Sequence, residues 1–88
     1  MTIRLRNSVT ATSTDYGLVL LDETGGEYWN LNPTGASVVT AVLDGDTPDQ
    51  AARSLAEEHH IDLDTASADV RDLLSQLGSA GLIDWVPA

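Results

Sequence analysis

The rhythm of apolar and polar positions changes once along this chain, near residue 32. Before that point apolar residues come in short runs. After it they recur every three or four positions. Leu18-Val19-Leu20-Leu21 is a compact apolar run of the kind found in a buried strand. Val9 to Thr14, rich in threonine and valine with polar and apolar residues mixed, reads as an outer strand. Asp22-Glu23-Thr24-Gly25-Gly26 is a polar turn, and Glu27–Leu31 brings the chain back as the second arm of a hairpin. Three strands with turn signals between them predict a small antiparallel meander.

Three helices are expected between residues 33 and 83. The first carries Ala36, Val39, Val42 and Leu43 at helical spacing and stops near Asp44-Gly45. Thr47-Pro48-Asp49-Gln50 opens the second: Thr47 is the cap, Pro48 the first helical residue, and Gln50 completes a capping box. Its apolar face, Ala51, Ala52, Leu55 and Ala56, is thin, which suits a short surface helix. The third starts after Asp62 or Asp64 and carries Ala66, Val70, Leu73, Leu74 and Leu77. Gly81 is its stop signal, with Leu82 and Ile83 folding back as an apolar clasp. The expected fold class is α+β, a winged helix-turn-helix-like order of a three-stranded antiparallel sheet followed by three helices, within one domain over residues 1–88. A three-stranded sheet needs one face covered, and the helices are available to cover it.

The junction Tyr28-Trp29-Asn30-Leu31-Asn32-Pro33-Thr34-Gly35-Ala36 is the most informative stretch. A strand ends at Asn-Pro and a helix begins at once. Asn32 suits the cap that satisfies orphan N–H groups, and Pro33 suits a first helical position where no donor is needed. The strand Glu27–Leu31 is thereby anchored, with no neighbour evident on its far side, and another chain could add a strand there. Trp29 and Leu31 share one of its faces, Tyr28 and Asn30 the other. On the third helix, Val70, Leu73, Leu74 and Leu77 make a stripe wider than one seam. Part of it can pack on the sheet and part can line a groove, with Leu74 and Leu77 the better core candidates. Asp69 and Asp72, with Glu27, could give that groove an acidic rim.

Charge narrows the choice of partner. Four arginines and no lysine face fourteen carboxylates, for a formal net charge of −10. Nucleic-acid binding draws its affinity from basic groups on phosphates, so this balance argues against it and suits a basic partner. The absence of cysteine excludes disulfides, thiolate metal sites and thiol nucleophiles. No apolar run approaches the roughly 18 residues of a membrane span. Met1-Thr2-Ile3-Arg4-Leu5-Arg6 has no apolar segment behind it, so a cytoplasmic location is expected.

Candidate chemistry is sparse. His59 and His60 are adjacent, so on a helix they point about 100° apart and cannot readily share one metal; a solvated helix end suits them better. Gly25-Gly26 is too short for a phosphate loop and has no lysine, and no serine stands in a nucleophile-elbow context. No catalytic residue, cofactor or metal ligand is expected.

The junction, the Asp44-Gly45 stop, the Thr47-Pro48 helix start and the Gly81-Leu82-Ile83 ending together resemble the PqqD-like domains, in the same order and over nearly the whole chain. The Ala-rich second helix matches in length more than in residues. Domains of this family are recognition elements for the leaders of ribosomally made, post-translationally modified peptides. The acidic, Tyr-Trp-containing form most resembles the discrete recognition protein of lasso-peptide clusters. The resemblance implies that a leader binds as an extra antiparallel strand beside the third strand, its apolar side chains entering the cleft toward the third helix. Carried over by position, the strand side is Glu27, Tyr28, Trp29, Asn30 and Leu31, and the helix side Asp69, Val70, Leu73, Leu74 and Leu77. The implied partners are a basic precursor leader, a separate leader peptidase and an ATP-dependent cyclase. Two other readings are a winged-helix DNA-binding regulator, which Asp69 and Asp72 beside a lone Arg71 disfavour, and an acidic adaptor for a partner enzyme.

Overall fold

The computed structural model describes residues 2–86. Its elements are β1 (Thr2–Leu5), β2 (Val9–Thr14), β3 (Gly17–Asp22), β4 (Tyr28–Leu31), α1 (Pro33–Leu43), α2 (Pro48–His59), α3 (Leu63–Ser79) and β5 (Ile83–Val86). The expected α+β architecture is present: β2, β3 and β4 form an antiparallel sheet in that order, and three helices follow.

Local chemistry places most of these boundaries. The Asn32 side chain accepts the Gly35 N–H at 2.8 Å at the start of α1, with Pro33 in the first turn. Thr47 and Gln50 close the capping box of α2 in both directions, at 3.1 and 2.8 Å. α3 ends in a reciprocal pair of turns, Leu82 N–H to the Leu77 carbonyl and Gly81 N–H to the Gly78 carbonyl, with Gly81 at a φ of 77°. The same arrangement ends α1, from Asp46 to Ala41 and from Gly45 to Val42. His60 holds a left-handed conformation at the end of α2, and both histidines are exposed.

Leu18, Leu20 and Leu31 on the inner face of the sheet, Val38, Val39 and Val42 on α1, Ala51, Ala52 and Leu55 on α2, and Ala66, Val70, Leu74 and Leu77 on α3 form one buried cluster. The thin face of α2 is therefore core: alanines let α2 and α3 approach closely.

An additional ribbon is present that the sequence pattern did not reveal. β1 pairs antiparallel with β5, Leu5 opposite Ile83 and Arg4 opposite Asp84. The Leu82-Ile83 clasp is the entry to this second sheet, both residues being buried. Arg6 fastens it through its N–H to the Leu82 carbonyl and its Nε to Asp84, each at 3.1 Å. That ion pair is half exposed and contributes little by itself. Each strand has only four residues, and the partners lie at opposite ends of the sequence.

Candidate functional site: the free edge of β4

Among the described residues β4 is an edge of its sheet, paired with β3 on one side only. Its register sets Leu31 against Leu18, Asn30 against Val19, Trp29 against Leu20 and Tyr28 against Leu21. Just beyond, the Asp22 N–H donates to the Glu27 carbonyl at 2.8 Å, so that pair is of the hydrogen-bonded kind. Antiparallel ladders alternate. Trp29 and Leu31 therefore bond to β3, while the N–H and C=O groups of Tyr28 and Asn30 point away from it. Two donors and two acceptors line the open edge.

Both ends of this edge are held. At one, the Asp22 side chain accepts the Thr24 N–H at 3.0 Å and orders the turn before Glu27. At the other, the strand runs directly into the Asn32 cap. Gly17 lies against that end with φ 144°, and a Cβ there would overlap the Leu31 carbonyl oxygen. Only glycine permits that approach.

Beneath the edge, Leu31 is buried and Trp29 half-buried against the core. Leu73 reaches this region from α3. A methyl placed on Gly35 would lie 3.7 Å from Leu73 Cδ2 and 3.6 Å from Leu31 Cβ. Leu73 of α3 and Leu31 of β4 therefore both lie close to Gly35 at the strand-to-helix junction. α3 takes its main packing from α2, with lesser contact to α1 and β5. Trp29 on β4 and Leu73 on α3 thus supply a half-buried apolar shelf, one residue on each side of the strand-to-helix junction. Glu27, Asp69 and Asp72 are exposed.

The stripe on α3 is less open than its width implies. Val70, Leu74 and Leu77 are only 1%, 2% and 0% exposed, so most of their side-chain surface belongs to the core. Val70 lies on the side of α3 that also meets Pro48 and Trp85. Burial divides the stripe because α2 packs along one side of α3, leaving Leu73 as its half-exposed member. A partly open hollow of about 140 Å³ lies elsewhere, between Ser37, Val38 and Ala41 of α1 and Ala51, Ser54 and Leu55 of α2. Among the described residues no group of three or more His, Asp or Glu side chains is placed to hold a metal ion. No described helix is long and apolar enough to cross a membrane.

An open strand edge above an apolar shelf is a geometry for peptide, and comparison with known proteins bears on which peptide. Residues 17–83, well over half of the chain, match the family described as coenzyme PQQ synthesis protein D, PqqD. The chain belongs to the PqqD family. The matched region of this PqqD-family chain runs from the start of β3 to the start of β5. Its fold is similar to that of lasso peptide synthetase B1 complexed with the leader peptide, with a TM-score of 0.90 and 38% identity, covering 99% of this chain and 100% of that one. It is also similar to TbiB1 in complex with the TbiA(beta) leader peptide, at a TM-score of 0.86 and 24% identity, over 97% and 99% of the two chains. The second likeness speaks to fold alone. Comparison with curated proteins gave no match.

Proposed function

We propose that this protein is a non-catalytic module that captures the leader of a ribosomally made lasso-peptide precursor by adding it as a strand to β4. The observation that carries this reading is the outward N–H and C=O groups of Tyr28 and Asn30 on a strand whose inner face holds buried Leu31 and half-buried Trp29. Main-chain bonds to that edge supply sequence-independent affinity, and the shelf selects apolar side chains on the inward face of the leader. Lasso peptide synthetase B1, 38% identical over the chain, is a protein complexed with a leader peptide.

In this reading Glu27, Tyr28, Trp29, Asn30 and Leu31 form the strand side, with Leu73 and Asp69 facing them from α3. Val70, Leu74 and Leu77 hold α3 in place from behind. Exposed Glu27, Asp69 and Asp72, in a chain of net charge −10, favour a leader rich in lysine. The bound leader is then presented, in the cytoplasm, to a separate leader peptidase and an ATP-dependent cyclase. Ordering a disordered leader costs entropy, so dissociation constants fall on the order of nanomolar to micromolar, about −12 to −8 kcal/mol.

Fluorescence anisotropy of a labelled lasso-precursor leader, with a scrambled leader as control, tests this. Saturable binding of the leader alone supports it. Absence of binding up to high micromolar, or tight salt-sensitive binding to duplex DNA instead, overturns it.

A further inference from the structure

Strand addition at β4 has an outer face as well as an inner one. Tyr28 is 64% exposed and stands directly opposite Leu21, itself 37% exposed. Theirs is a non-hydrogen-bonded pair, the type in which side chains approach most closely. The outer face is thus crossed by a row running Thr10, Leu21, Tyr28 and then the open edge. The neighbouring row runs Thr12, Val19, Asn30 and ends polar at the same edge.

We infer that leader recognition extends to this outer face, where Tyr28, backed by Leu21, reads one outward-pointing apolar or aromatic side chain of the added strand. The inference rests on strand addition at β4. Residues of an added strand that bond to Tyr28 and Asn30 stand directly opposite them, and opposed residues share a face. The leader residue opposite Tyr28 therefore lies on the outer face and extends the Leu21–Tyr28 row. The one opposite Asn30 meets an amide. Those opposite Trp29 and Leu31 turn inward to the shelf. For an antiparallel leader the preferred order, from its N-terminal side, is apolar, polar, apolar, apolar. Simple inward–outward alternation would place a polar residue last. Tyr28 is thus a specificity residue distinct from the inward shelf.

The test uses the leader of the precursor bound by lasso peptide synthetase B1 as labelled probe, with alanine at each position in turn. Anisotropy titrations are run against the wild-type protein, Tyr28→Ala, Tyr28→Phe and Leu73→Arg. Tyr28 makes no ladder bond and is exposed, so its variants fold, as circular dichroism verifies. Large losses are expected at two leader positions separated by one residue. A further loss of about fivefold, the upper range of a cross-strand pair, is expected at one position next to them. That loss disappears in Tyr28→Ala and persists in Tyr28→Phe, while the two larger losses persist in both. If it is absent, or equal in wild type and Tyr28→Ala, the outer-face reading is overturned and strand addition stands. If the probe fails to bind wild type, or binds Leu73→Arg equally well, strand addition fails and takes this inference with it.

Discussion

The three-stranded sheet has two edges, β2 and β4, and they differ in what lies beneath them. β2 is the longer, with six residues, yet only Val9 is buried. Ala11 and Ser13, on the same face as Leu18 and Leu20, remain exposed, because β2 packs chiefly against β3 and little against the helices. β4 has four residues, with Leu31 buried and Trp29 half-buried. It is held at one end by an ordered turn and at the other by a capped helix. Both edges offer free backbone groups. A strand docking on β2 would gain hydrogen bonds but little apolar contact, and the net value of each such bond is only about 1 kcal/mol. A strand docking on β4 would gain the bonds and apolar contact with Trp29 together, against a backbone already held in place. A docking edge is thus distinguished by its floor and its anchors, not by its unpaired groups.

The comparison can be broken most forcefully at Gly17, whose Cα lies against the end of β4. Gly17→Ala should destabilise the protein by about 3–4 kcal/mol, since the clash is with backbone and φ is unfavourable; chemical denaturation measures it. A loss below about 1 kcal/mol would show that the β4 end is not tightly held. Leu73→Arg removes the shelf and should weaken leader binding by at least about 100-fold, roughly 2.7 kcal/mol, with helical circular dichroism intact. If binding survives, the cleft is elsewhere; if the fold collapses, Leu73 is structural.

A matched pair of prolines sharpens the contrast between edges. Asn30→Pro deletes an outward N–H of β4, and Ala11→Pro deletes one of β2, neither of which serves the sheet. Asn30→Pro should weaken leader binding by about tenfold, the scale of one main-chain bond plus the ring's intrusion. Ala11→Pro should leave it unchanged, and equal effects would mean that the two edges do not differ as docking surfaces. The smallest effect is expected at Asn32→Ala, which removes the cap and should lower stability by about 1 kcal/mol. Leader binding should fall only a few-fold as the β4–α1 junction loosens, and thermal melts alongside anisotropy separate the two.

Much of this was legible in the chain. The Asn32-Pro33 and Thr47-Pro48 starts, the glycine stops and the Leu18–Leu21 run are local signals, and β2 to β4 and the three helices formed where their own residues directed. The β1–β5 ribbon was not legible, because four-residue strands carry little pattern and their pairing spans the whole sequence. The α3 stripe was legible as apolar, but Val70, Leu73, Leu74 and Leu77 look alike in sequence. Packing against α2 buries three of them and leaves Leu73 half-exposed beside β4.

By itself, the sequence determined β2 to β4 and the three helices, the caps of α1 and α2, the acidic character of the chain and the anchored strand before α1. These depend on interactions a few residues apart or on composition. The tertiary structure alone decided that β4 is an open edge, that Tyr28 and Asn30 carry its free groups, and that Leu73 and Leu31 both lie close to Gly35. Each of those facts depends on ladder parity or on helices brought together from distant parts of the chain, and no local pattern encodes either.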